Sequence, residues 1–332
     1  MQKYEIALNK IEESNEIVIL SHKSPDGDSI GSSIALYNFL LAKNRSVTVV
    51  TPDPAPDFLS WMHGFDQIIN FEQKPDLSME KISKADLIFC LDFNDPSRIG
   101  GLQEGLEANS SAYRINIDHH RDPKDFCDLQ LVDITASSTA ELIFELIEGM
   151  RQASHLNKEI AEGIYTGILT DTGSFRFAST SERTHWITSK LIGLGIEPDK
   201  IYRQVYDSYS SERLKLLGYS LYKALKLYHE EQIAIIALDA EELSTFKFKR
   251  GDTEGLVNYP LSIQKVQASI LLTEKDGLIK MSFRSKGEIA VNLFAKKYFN
   301  GGGHLNAAGG ASDKSMKETL NILEAHIAEL LA

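Results

Sequence analysis

The chain has 332 residues, of which 42% are hydrophobic and 25% charged, and its formal net charge is −12. That length allows two domains, each with its own core, and the composition is that of a soluble globular protein. No run approaches the ~18 consecutive apolar residues of a membrane span, and so acidic a chain lacks the basic stripe that a long nucleic-acid track requires.

The start, Met1-Gln2-Lys3-Tyr4-Glu5, reads as a mixed-charge helical segment and not as an apolar signal region. Ile17–Leu20 reads as a buried strand, and Ile34–Ala42 as an amphipathic helix. Between them lies Ser21-His22-Lys23-Ser24-Pro25-Asp26-Gly27-Asp28-Ser29. One imidazole and two carboxylates thus share a tight turn at a strand's carboxyl end, where open α/β sheets place their ligands. Carboxylates this close repel, and a divalent cation between them relieves the repulsion. The plainer reading makes Asp28 or Ser29 a helix cap.

Ser46–Val50 predicts a second strand, followed by a rigid, extended surface linker, Thr51-Pro52-Asp53-Pro54-Ala55-Pro56. Two further strands, Leu87–Leu91 and Tyr113–Ile117, stop at Asp92 and at Asp118-His119-His120. Ala140–Ile147 and Ile160–Leu169 read as helices, the second stopping at Thr170-Asp171-Thr172-Gly173. Strands alternating with helices imply a parallel sheet covered on both faces, which gathers such ends onto one rim. Asp26, Asp28, Asp92 and Asp171 supply four negative charges, matching two divalent cations. Oxygen-rich ligation with two imidazoles favours Mn²⁺ or Mg²⁺ over structural zinc. Cys90 and Cys127 form no C-x-x-C pattern and read as small buried residues in a reducing cytoplasm. Arg176, just after the fourth motif, reads equally as a substrate contact or an ion-pair partner.

Residues from about Ser179 to Leu227 read as helices. A new α/β pattern opens at Gln232–Ala237, with a strand over Leu278–Phe283 ending at Arg284 and a helix over Ile289–Tyr298. Residues 261–300 hold seven Lys or Arg against three acids, Asp276 among them, which suits a small anionic ligand. Gly301-Gly302-Gly303 reads either as a helix terminator or as a phosphate clamp whose backbone N–H groups approach closely, with His304 and Arg284 as further donors. Asn306 reads as a contact to base or ribose, or as a residue that fixes its loop. Ser285 and Lys286 are weaker candidates.

His22-x-x-Pro25-Asp26-x-Asp28, Asp92, Asp118-His119-His120 and Asp171-Thr172-Gly173 resemble, in order, the four motifs of the DHH phosphoesterase superfamily. Gly301-Gly302-Gly303-His304-x-Asn306-Ala307-Ala308-Gly309 resembles the signature of its DHH-associated C-terminal domain. Within the superfamily the likeness is to the stand-alone nanoRNase and pAp phosphatase group. The resemblance implies an α/β fold: a parallel-sheet catalytic domain over 1–180, a helical linker over 181–227 and a smaller mixed-sheet substrate domain over 228–332, with the active site in the interdomain cleft. It makes His22, Asp26 and Asp92 ligands of one cation, and Asp28, Asp92, His119 and Asp171 ligands of the other. Asp92 then bridges, His120 serves as donor or general acid, and Asp118 orients an imidazole or merely ends its strand. Arg284, Gly302, Gly303, His304 and Asn306 become the substrate-binding set.

The implied activity is manganese-dependent hydrolysis of very short RNA to nucleoside monophosphates, or removal of the 3′-phosphate of pAp, through attack on phosphorus by a hydroxide that two metals activate. A phosphodiesterase for cyclic di-AMP or pApA and a non-catalytic nucleotide-binding regulator are the alternatives. The expected setting is cytoplasmic, with no membrane or long nucleic acid as partner. A homodimer is compatible with the sequence, which carries no signal for it.

Overall fold

The computed structural model describes residues 2–249, 251–275 and 277–331; Asp276, counted above, lies outside them. Contacts divide the chain between Ser208 and Tyr209. Among the described residues no helix is long and apolar enough to cross a membrane.

In the first unit the order is α1 (Gln2–Glu13), β1 (Glu16–Ser21), α2 (Gly27–Ala42), β2 (Ser46–Thr51), β3 (Ile69–Asn70), α3 (Pro75–Lys84), β4 (Leu87–Leu91), α4 (Leu102–Ala108), β5 (Tyr113–Asp118), β6 (Leu129–Val132), α5 (Thr139–Gly149), α6 (Lys158–Asp171), α7 (Glu182–Gly193) and α8 (Pro198–Tyr206). The six strands form one parallel sheet in the order β3-β2-β1-β4-β5-β6. Its central strands are apolar at successive positions because both faces are covered. Ile17, Ile19, Leu87 and Phe89 pack against α2, α5 and α6. Their neighbours Val18, Leu20, Ile88 and Cys90 pack against Ile82 of α3 and Leu102 and Leu106 of α4. The strand order reverses direction between β1 and β4, so the carboxyl ends of these two strands flank the crevice where such sheets hold ligands.

Helix α2 is buried along nearly its whole length and packs closely on α6. A Cβ at Gly167 of α6 would lie 2.7 Å from Asp28 Oδ1 and 2.4 Å from the Cβ of Ala140. Glycine there lets three helices converge where the acidic motifs meet.

Two sequence expectations need correction. Helix α2 begins at Gly27, one turn and more before Ile34. The polar Asp28-Ser29 and Ser32-Ser33 hid this, because they are buried against α5 and α6 and so break the apolar period. The stretch Thr51–Pro56 is not a surface linker. Thr51 ends β2, Thr51, Pro52 and Asp53 are buried, and both Asp53 carboxylate oxygens accept from the Ser24 N–H, at 2.8 and 3.1 Å.

The second unit runs α9 (Ser211–Tyr219), β7 (Leu225–Tyr228), β8 (Ile233–Leu238), α10 (Ala240–Thr245), β9 (Ala268–Lys275), β10 (Leu278–Ser285), α11 (Val291–Tyr298), β11 (Gly302–His304), β12 (Ala307–Ser312) and α12 (Met316–His326). Its mixed sheet has the order β11-β12-β10-β9-β8-β7, with only β8 and β9 parallel. On β10 the alternate residues Ile279, Met281 and Phe283 enter the core beneath α11 and α12. Lys280, Ser282 and Arg284 therefore stand on the opposite face.

Candidate metal centre

Three strand ends and three helix termini of the first unit converge. His22 follows β1 directly and is 4% exposed. Its Nδ1 lies 2.9 Å from the Lys23 carbonyl, which can only accept, so Nδ1 carries hydrogen and Nε2 faces the carboxylates. Nε2 stands 3.2 Å from Asp92 Oδ2 and 3.9 Å from Asp26 Oδ2. Asp26 is itself the N-cap of α2: its Oδ1 accepts from the N–H groups of Asp28 and Ser29. One oxygen thus caps the helix and the other turns towards His22.

Asp28 and Asp92 are 1% and 2% exposed. Asp28 Oδ2 and Oδ1 accept from the backbone N–H groups of Thr139 and Ala140, at 2.6 and 2.8 Å, in the first turn of α5. Ser138 caps that helix through the Glu141 N–H. Helix N-termini favour negative charge. Asp92 sits in the left-handed region at φ 64°, and its N–H donates to the Ile117 carbonyl. Its Oδ1 accepts from the Thr139 hydroxyl at 2.9 Å.

His119 repeats the logic of His22. Its Nδ1 donates to the Ala136 carbonyl at 3.3 Å, while Nε2 lies 3.3 Å from Asp171 Oδ2, 3.7 Å from Asp92 Oδ1 and 3.9 Å from Asp28 Oδ2. Asp171 is the last residue of α6, where the helix dipole opposes a carboxylate and a nearby cation offsets the conflict. His120 Nδ1 donates to Asp118 Oδ1 at 2.7 Å, and that oxygen also accepts the His120 N–H.

The electrostatics follow from this crowding. Burial, then the charges of Asp92 and Asp171, push the Asp28 carboxyl well above its ordinary range. Burial alone would lower His22, but the hydrogen bond to Asp92 and the charges of Asp26 and Asp92 outweigh it and raise the imidazole to about 9. His119 is raised too, the charges of Asp92 and Asp28 overcoming its burial. Asp92 goes the other way: burial opposes its ionisation, yet the His22 hydrogen bond and three imidazoles hold it well below the carboxylate range. Protons here do part of what cations would do.

The donor set fits a pair of divalent cations. One ligand atom from each of His22, Asp26 and Asp92 lies within 4.8 Å of the others, and the same holds for Asp28, His119 and Asp171. Asp92 presents Oδ2 to the first group and Oδ1 to the second. Carboxylate oxygens with imidazole nitrogens suit Mn²⁺ or Mg²⁺.

Residues 16–168 match the model of the DHH family, N-terminal domain, and residues 231–330 that of the DHHA1 domain. The bifunctional oligoribonuclease and PAP phosphatase NrnA of Bacillus subtilis is 32% identical, over 92% of each chain. The chain belongs to the DHH phosphoesterases. A crystal structure of an exopolyphosphatase-related protein from Bacteroides fragilis superposes with a TM-score of 0.94 at 42% identity, covering 100% of this chain and 98% of that one. The cyclic-di-AMP phosphodiesterase PdeA of Listeria monocytogenes is 29% identical over 93% of this chain but only 46% of its own length. As a member of this family the chain is a hydrolase of phosphate esters.

The candidates of the second unit lie on and around one edge of its sheet. Arg284 on β10 and His304 on β11 both pair with Ala307 of β12, so their side chains share a face with only a methyl group between them. Lys280 and Ser282 lie on that face as well. Gly302 and Gly303 belong to β11 and are not a free loop; Gly303 has φ 137°, a conformation only glycine adopts readily. The Asn306 amide donates to Ser285 Oγ at 2.9 Å and to the Gly287 carbonyl at 2.8 Å, which ties the turn together. Arg176 lies over the Phe177 ring.

Sequence reading missed Thr139, Ala140 and Asp53, which hold the carboxylates and the His22 loop. It also missed Arg183, whose Nε lies 3.0 Å from Oε1 of the fully buried Glu141 and which also pairs with Asp133 and Glu145. Ser138-x-x-Glu141 is a helix-start signal that would have located the tip of α5.

Proposed function

We propose that this phosphoesterase, with Mn²⁺ bound, degrades very short RNA to nucleoside monophosphates and removes the 3′-phosphate of pAp. The observation that carries this reading is the convergence of His22 and Asp26 on one side of Asp92 and of Asp28, His119 and Asp171 on the other, in a chain collinear with NrnA of B. subtilis. His22, Asp26 and Asp92 would hold one cation, and Asp28, Asp92, His119 and Asp171 the other. When bound, such ions acidify water and offset charge on phosphoryl oxygens.

The chain's own groups do the rest. The Nδ1–H bonds of His22 and His119 to carbonyls fix both rings with Nε2 inward, so neither ring must reorganise during turnover. Asp118 holds His120 through Nδ1, from which the His120 Nε2 delivers a proton to the leaving oxygen. In the second unit, Arg284 and His304 bind phosphate from one sheet face, and Gly302 and Gly303 leave room for it. Asn306 keeps the β10–β11 region in shape. The net charge of −12 disfavours long polyanions.

Similarity to PdeA supports a second reading, a phosphodiesterase for cyclic di-AMP or pApA. One panel separates the two: pAp, RNA from dinucleotide to 24-mer, pApA, cyclic di-AMP and pyrophosphate, each with Mn²⁺ and with Mg²⁺. Turnover of pAp and the shortest RNAs, with the 24-mer spared, is expected. Turnover of cyclic di-AMP or pApA alone would install the second reading, and no hydrolysis of any of them would overturn both.

A further inference from the structure

We propose that Thr139 is a positioning residue that sets the rotation of the Asp92 carboxylate, so that one oxygen faces the His22 side and the other the His119 side, where each would serve a cation. The inference rests on the two-cation reading above and extends it to a residue outside the ligand set.

Thr139 is fully buried and is the first residue of α5. It touches both buried carboxylates at once. Its backbone N–H donates to Asp28 Oδ2 at 2.6 Å, and its hydroxyl donates to Asp92 Oδ1 at 2.9 Å. The main chain of Asp92 is already fixed: it lies in the left-handed region with its N–H bonded to Ile117. The side-chain torsions remain, and the terminal sp³–sp² one, which sets where the two oxygens point, has a broad well. The hydroxyl narrows it, holding Oδ1 on the side of His119 (3.7 Å) and leaving Oδ2 on the side of His22 (3.2 Å). An oxygen has two lone pairs, so Oδ1 accepts from Thr139 and keeps one for a cation. Without the hydroxyl the carboxylate can turn both oxygens towards the His22 side, and the His119 side loses a ligand. Because the backbone bond to Asp28 survives any side-chain change, the effect of the hydroxyl is separable from the anchoring of Asp28.

The test is a Mn²⁺ titration of the full chain, with free ion followed by electron paramagnetic resonance, on wild type, Thr139→Val and Thr139→Ser. Valine keeps the shape and loses the donor; serine keeps the donor and loses the methyl group. Two Mn²⁺ should bind the wild type. The valine variant should bind at least one of them about 10–100-fold more weakly, the loss usual for partners behind a metal ligand, and serine should restore most of it. At saturating Mn²⁺ the valine variant should keep its KM for substrate. Wild-type affinity for both ions in Thr139→Val would overturn the proposal, as would a serine variant as weak as the valine one. If the valine variant lacks a cooperative melt in chelator, Thr139→Ala takes its place under the same criteria. A wild type that takes up no Mn²⁺ overturns the two-cation reading itself, which separates that failure from this one.

Discussion

Raising the pH should destabilise the cation-free protein, and the structure sets the direction and the order of size. His22 is buried, and in the fold its imidazole titrates near 9 instead of near 6.5, because Asp92 and Asp26 hold its proton. A raised folded pKa means that the native state binds a proton which the unfolded chain gives up earlier. The stability it contributes is therefore fully present below about pH 6.5 and gone above about pH 9. Going from 6.5 to about 9, at ~1.4 kcal/mol per pH unit, places the His22 contribution on the order of 3 kcal/mol. Asp28 and His119, both raised, act with the same sign, although groups sharing these charges do not add independently. Asp92 is depressed, so its contribution is complete above the carboxylate range and stays constant across this window. The assay is urea unfolding with EDTA from pH 6 to 9.5, repeated on His22→Gln, where most of the fall between 6.5 and 9 should vanish. With Mn²⁺ the order reverses, since cations displace these protons, and the stability gap between Mn²⁺ and EDTA should widen as pH rises. Wild-type stability that is flat or rising over pH 6.5–9 in EDTA would refute the account.

Asp92→Asn keeps an acceptor for Thr139 but removes the charge that both groups of ligands share; turnover should fall by more than the ~100-fold typical of outer partners, with both Mn²⁺ sites weakened in the same titration. Gly167→Ala should cost about 1–3 kcal/mol in urea unfolding by driving a methyl group into Ala140 and Asp28, whereas Gly193→Ala, where a Cβ would meet nothing within 4 Å, should not destabilise. Arg183→Met strips the buried Glu141 of its cation and leaves it the Ser137 and Thr184 hydroxyls; a loss of about 3 kcal/mol is expected by denaturation, and less than about 1 would mean the hydroxyls suffice. Arg284→Ala should raise KM for pAp more than it lowers kcat, and an unchanged KM would remove it from phosphate binding.

The acids and imidazoles of the first unit were legible because a parallel sheet must present its carboxyl ends on one rim. His22, Asp92 and His119 each stand one or two residues past an apolar run that reads as a strand. The groups that hold them were not legible, for two reasons. Thr139 and Ala140 act through backbone N–H groups, which any sequence possesses, so only the helix start at Ser138 could have betrayed them. Asp53 sits among prolines, and proline-rich composition signals exposed extended chain; that its carboxylate turns inward to Ser24 is a tertiary fact with no local signature. Helix α2 was cut short because burial on every side replaces amphipathic alternation with small residues. Gly302 and Gly303 looked like a loop because strand propensity is low for glycine, yet pairing with Gly309 and Ala308 makes them a strand.

Asp28 draws both of its strong contacts from the peptide groups of residues 139 and 140. Alanine scanning along that helix would pass over this anchorage in silence, since every ordinary replacement brings an amide of its own. Proline at position 140 would remove the N–H behind the Ala140 contact, but its ring would also crowd a fully buried position against Gly167 and strain Thr139 before it. Replacing that peptide linkage by an ester would remove the N–H with the side chains untouched. Part of this centre is therefore encoded in the path of the chain, and surveys that count side chains will undervalue it.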